Sequence, residues 1–139
     1  MLKLLSRVLI GAFVFGAVLL DSAPSSTAPA FAARSSNAAG VRVVVTPKNL
    51  GPGVTVWEFE VVMDTHSNPL NENLIQVAAL VDEAGRRYTP VAWQGDPPGG
   101  HHRKGVLQFL APAGMPKSIE LRMNGVGGAD TRTFRWELK

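Results

Sequence analysis

From Val41 onward the chain alternates apolar and polar residues, and the alternation has the two-residue period of strands, not the 3.6-residue period of helices. Val41 to Thr46 (VRVVVT) is a β-branched first strand that Pro47 stops. Asn49 to Gly53 brings two glycines and Pro52, the composition of a turn. Thr55, Trp57, Phe59, Val61 and Met63 then alternate with Val56, Glu58, Glu60, Val62 and Asp64. This predicts a long second strand with Trp57, Phe59 and Val61 toward a core and Glu58 and Glu60 toward water. Leu74 to Val81 (LIQVAALV) is apolar at nearly every position and reads as a central strand; eight residues without a visible cap is short for a helix. Asp82 to Gly85 is a tight turn. Arg87 to Trp93 forms a fourth strand, placed at an edge or bulge by Pro90, which has no N–H to donate. Gln94 to His102 (QGDPPGGHH) is a loop, Gly105 to Leu110 a fifth strand and Ala111 to Pro116 a turn. Ile119, Leu121 and Met123 mark a sixth strand, Asn124 to Asp130 with its three glycines a loop, and Phe134, Trp136 and Leu138 a seventh strand.

Seven short strands with turn signals about every ten residues describe an all-β, immunoglobulin-like antiparallel sandwich over residues 40–139, with a small barrel as the alternative. The Cys–Trp–Cys hallmark is missing because the chain has no cysteine. Without disulfides the core must hold by packing alone.

The start of the chain has a different pattern. Met1 to Arg7 carries Lys3 and Arg7, and Val8 to Leu20 is an unbroken apolar run. A Ser/Ala/Pro-rich stretch then ends in Ala30-Phe31-Ala32. A positive start, a short apolar middle and small residues at the end predict a signal peptide over residues 1–32, with a cut after Ala30 as the second position. The run is shorter than the roughly 20 residues a membrane-spanning helix needs. The expected location is therefore exported, periplasmic or extracellular, and membrane contact arises only through this segment if it is not removed. Residues 33–39 read as a flexible leader.

Removing 32 of 139 residues leaves 107, one domain that buries roughly 60–70% of its unfolded surface. Lys plus Arg falls from 14 to 12 and Asp plus Glu from 11 to 10, a net charge of +2. The basic residues are scattered and several alternate with acids along strands, including Arg103 and Lys104 beside the histidines. No basic stripe with interleaved aromatics exists, which excludes nucleic acid as a partner.

The three histidines carry the candidate chemistry. If the strands alternate up and down, the loops after the second, fourth and sixth strands share one end. His66, His101 and His102 then meet at one rim although they are distant in sequence. Imidazole is the commonest protein ligand for zinc and copper. Gly99 and Gly100 would let the backbone turn His101, His102 or both inward. Asp64 shares a strand face with His66 by period two and is positioned as an oxygen ligand or as a carboxylate that orients a ring. Histidine with carboxylate favours zinc; histidine with or without methionine favours copper. The competing reading is a solvated loop with Thr65 and Ser67 capping backbone groups. Trp93 is either a pocket wall or rim packing.

An enzyme is not expected. Asp64, His66 and Ser67 match a triad only in composition, since such close neighbours do not converge and no strand–nucleophile–helix elbow is present. The GVGG stretch at Gly125 to Gly128 has no following helix and cannot cradle a phosphate. The runs Met63 to Ser67 (MDTHS), Asp82 to Gly85 (DEAG), Gly99 to Arg103 (GGHHR) and Phe134 to Trp136 (FRW) are similar to those of small bacterial exported β-sandwich proteins. The resemblance spans about residues 41–138; it implies an exported β domain and carries no site residues with it. The N-terminal histidine of copper-resistance sandwich proteins and the Cys–His–Met run of blue-copper proteins are both missing, which argues against electron transfer.

Two functions follow as expectations. The first is an exported copper- or zinc-binding module with His66, His101, His102 and Asp64 as its metal residues. The second is a non-catalytic module that binds a protein or envelope partner without metal.

Overall fold

The computed structural model describes residues 31–139, so the expected signal segment, apart from Phe31 and Ala32, lies outside the described residues. Among the described residues nine strands form: β1 (Arg34–Ala38), β2 (Val41–Asn49), β3 (Val56–Thr65), β4 (Ala78–Asp82), β5 (Arg87–Tyr88), β6 (Ala92–Gly95), β7 (His102–Leu110), β8 (Ser118–Met123) and β9 (Arg132–Glu137). A four-residue helix α1 (Leu74–Val77) precedes β4, and a 3₁₀ turn spans Val126–Gly128. Two antiparallel sheets pack face to face, ordered β1-β2-β3-β7-β6 and β5-β4-β8-β9. With β1 set aside, this is the A-B-E-D sheet of an immunoglobulin sandwich facing a C′-C-F-G sheet. The immunoglobulin-like sandwich is therefore the observed architecture.

The core is built from the inward residues of the alternation. Trp57, Phe59, Val61 and Met63 from β3 meet Ile119, Leu121 and Met123 from β8 and Phe134 and Trp136 from β9, all buried. Phe59 sits at the centre, edge-on to Phe109 at 5.7 Å between ring centroids and tilted against Trp136 at 5.6 Å. Such aromatic pairs add about 0.5–1.5 kcal/mol each beyond the area they bury.

Three elements differ from the sequence reading. Residues 34–38 of the expected leader form β1, paired along its length with β2 from Arg34↔Val45 to Ala38↔Val41. The two-residue turn Ala39-Gly40 has φ of +50° and +74°, the left-handed pair that matches the twist of a tight hairpin. As a largely exposed edge strand β1 has no buried face to impose an apolar alternation, which is why its composition resembles a leader. The predicted fourth strand divides at buried Pro90: β5 pairs with β4 in one sheet and β6 with β7 in the other. Both halves run in the same direction, so the alternation of loop ends survives. The LIQVAALV run also divides. Asn73 does cap a helical turn, its Oδ1 accepting from Ile75 N, before the chain becomes the fully buried β4.

Candidate binding site at the loop pole

Strands β3 and β7 run antiparallel with Asp64 opposite His102. The chain leaving β3 therefore starts beside the chain entering β7. Main-chain bonds join these loops: Thr65 N donates to His101 O (2.9 Å), Leu70 N to Gly100 O (2.9 Å) and Gly99 N to Leu70 O (2.8 Å). The β8–β9 loop reaches the same end, where Asn124 N donates to Val77 O (3.0 Å). The β3–β4, β6–β7 and β8–β9 loops thus form one pole of the sandwich, and all three histidines belong to it.

Register across β2, β3 and β7 puts Arg42, Asp64 and His102 in one row on the outer face of the five-stranded sheet. Asp64 Oδ1 lies 2.5 Å from His102 Nδ1, with both side chains substantially exposed. His66 is exposed and shares a cleft of about 570 Å³ with Asp64 and Arg42; the β1–β2 turn forms its other wall. His101 is exposed, and its carbonyl is engaged by Thr65. The two glycines do adopt positive φ, +114° and +70°, but His101 and His102 face solvent and not inward. The reason is register: His102 already belongs to β7, on the same outer face as Asp64. Among the described residues, no three His, Cys, Asp or Glu side chains gather closely enough to hold a metal ion between them. Ser67 turns to Thr65 (Oγ to Oγ1, 3.4 Å), while the Asp64 carboxylate turns to His102.

What fixes this pole is a pair of arginines among the scattered basic residues of the sequence. Arg103 is 1% exposed and Arg132 3% exposed. The Arg103 guanidinium donates Nη1–H to the carbonyls of Leu70 (3.1 Å) and Glu72 (2.8 Å) and Nη2–H to that of Asp96 (3.4 Å). Arg132 donates Nη1–H to Val41 O (3.0 Å) and Ser36 Oγ (3.2 Å) and Nη2–H to Ala38 O (2.8 Å) and Val126 O (3.1 Å). The Arg103 fork thus satisfies carbonyls of the β3–β4 and β6–β7 loops, and the Arg132 fork ties the β1–β2 hairpin to the β8–β9 loop. Burial lowers the pKa of both guanidinium groups; the Glu72 carboxylate opposes this in each case, with Asp96 adding to it at Arg103. Glu72 also accepts from Gly127 N at 3.0 Å, which ties the β3–β4 loop to the β8–β9 loop. Trp93 is rim packing: its ring lies 5.6 Å from the Arg103 guanidinium carbon, and its Nε1–H donates to Asp96 O at 2.8 Å.

A signal for both arginines was present in the alternation. Arg103 is in phase with Leu107 and Phe109, and Arg132 with Phe134 and Trp136. Extending each inward series back by period two places the arginines inside.

No protein-family model, no curated protein and no solved structure matches this chain. The reading of its function therefore rests on this geometry.

Proposed function

We propose that the protein is an exported, non-catalytic binding module whose recognition surface is the loop pole, with a protein of the envelope or exterior as partner. One observation carries this: three loops of an immunoglobulin-like sandwich are pinned from beneath by buried Arg103 and Arg132 while Arg42, His66, His101 and His102 stand exposed above them. Loops fixed in advance lose little freedom on binding, so more of the contact energy appears as affinity. In antibody variable domains the corresponding B–C and F–G loops form the binding surface; the parallel is one of fold only.

The test is site-specific photo-crosslinking in the producing cell. A crosslinker at His66 or His101 should give a discrete adduct that chelator does not remove, whereas one at Lys48, near the other end, should give none. Adducts from both ends alike, or from neither, would sink the proposal.

Copper or zinc is the second reading, favoured by the Asp64–His102 pair. A carboxylate on Nδ1 fixes the ring and leaves Nε2 as the donor, the arrangement that orients metal-bound histidines. His66, from the same cleft as Asp64, would supply a second imidazole. Stoichiometric uptake of zinc or copper in calorimetry, lost in His102→Ala, would establish it; histidine NMR signals unmoved by excess zinc would remove it.

The contacts at the start of the fold support cleavage after Ala30. Phe31 packs against the core, and Ala32 O accepts from Trp136 Nε1 at 2.8 Å. The mature protein should begin at Phe31 in intact-mass measurement; a start at Ala33 would contradict this.

A further inference from the structure

The loop pole offers a metal two imidazoles but not a closed set of ligands. His102 begins β7, and its Nδ1 is held by Asp64 Oδ1 at 2.5 Å, so Nε2 is the atom left for a ligand bond. Its side chain is 60% exposed, which leaves that atom open to solvent and to a neighbour. His66 is exposed and lines the same cleft as Asp64. It follows Asp64 by two residues, and the ladder continues past it with Thr65 N bonded to His101 O. That makes His66 a diagonal neighbour of His102, and long side chains reach across such diagonals. Among the described residues, no third His, Cys, Asp or Glu side chain gathers with them to hold an ion. Met63, next to Asp64 in sequence, is buried in the core, so its sulfur does not reach this face.

Zinc in a closed structural site takes four ligands in a tetrahedron. A two-fold axis supplies the missing half, because isologous contact sets the same patch of each copy against the other and doubles two imidazoles to four. An Asp64 carboxylate would stand behind each His102 ring and offset the charge of the ion. Imidazole backed by carboxylate, with no thioether, suits zinc better than copper(I). Arg42 and Asp64, paired across β2 and β3, leave the metal-free patch with no net charge to draw copies together.

We propose that the loop pole carries half of a zinc site, and that one zinc ion joins two copies of the chain through His66 and His102 of each. This rests on the metal reading of the Asp64–His102 pair and adds the second copy that completes the ligand set. Two copies joined at this pole cover the surface a protein partner would use, so zinc withdraws it from contact.

Sedimentation velocity of the purified exported protein during zinc titration is the test. The mass should double, with the rise complete at one zinc per two chains, and EDTA should restore the monomer. His102→Ala and His66→Ala should each remove the doubling. Asp64→Asn keeps all the imidazoles and should need about 10–100-fold more zinc to reach the midpoint, the cost of losing a group that orients a ligand. One zinc per chain with unchanged mass would overturn the shared site and leave the metal reading standing; no zinc uptake would overturn both. Doubling that survives either histidine variant would overturn the ligand assignment.

Discussion

The two ends of the sandwich are held by opposite chemistry. At the loop pole, buried guanidinium groups collect carbonyls from the connecting loops and from the β1–β2 hairpin. At the far pole, the turns are rich in glycine and proline, and in the β4–β5 turn a carboxylate does the collecting. Asp82, at the end of β4, accepts from Ala84 N (2.9 Å), Arg86 N (3.0 Å), Arg86 Nε (2.8 Å) and Tyr88 Oη (3.0 Å). A cation gathers acceptors where loops present carbonyls; an anion gathers donors where a tight turn presents N–H groups. The difference also bears on function: the arginines lie underneath and leave the loop surface free for contact.

The largest test of this contrast is Arg132→Met. It keeps much of the apolar stem but removes the guanidinium donor from the carbonyls of Ala38, Val41 and Val126. Urea unfolding should show a loss of about 3–5 kcal/mol, the scale for removing one partner from a buried charged network. A loss below about 1 kcal/mol would mean that the arginine does not hold the pole.

Gly105→Ala probes the support under Arg103. A Cβ there would meet Gln94 O, Gly95 Cα and Trp93 Cζ2, each at 2.7 Å. Displacing backbone and indole together should cost about 1–3 kcal/mol and loosen the Trp93–Arg103 stack. Amide exchange should then rise along β6 and in the β6–β7 loop while the Asp82 turn keeps its protection.

The far pole should respond to acid. Burial by itself would raise the Asp82 pKa, but the Arg86 N–H, the Tyr88 hydroxyl and the Arg86 guanidinium outweigh it and hold the carboxyl below its ordinary value. A depressed folded-state pKa stabilises the fold fully above the unfolded value of about 3.9, and this contribution is lost as pH falls through the folded value. Melting temperature should therefore drop below about pH 4, and Asp82→Asn should flatten that drop. An unchanged acid limb in the variant would place the titration elsewhere.

Asp64→Asn should have the smallest effect on stability. The Asp64–His102 pair is exposed, so the loss should stay within about 1 kcal/mol. Its consequence should be local: the His102 ring loses its fixed orientation and its NMR signals change, while those of the core stay in place. Core signals moving as well would mean that the pair is structural.

Period two laid out β3, β7, β8 and β9 and their inward residues well enough to read the sandwich, because a half-buried strand must alternate. It could not reveal β1, an exposed edge with no buried face to betray it. Nor could it reveal the divided fourth strand, since Pro90 marks a break without saying that the halves join different sheets. The shared pole of the histidines was legible from counting strands, and counting succeeded because β5 and β6 keep one direction. The pairing of Asp64 with His102 was not, because it depends on the register between strands separated by 36 intervening residues.

Residue order alone therefore determined most of the strands, their core face and the end at which the imidazoles gather, because each follows from local alternation and turn chemistry. Tertiary structure alone decided that Arg103 and Arg132 are inside and that Asp64 takes His102 and not His66. Each of those depends on which backbone groups from distant segments arrive at the same place, and no local pattern encodes that.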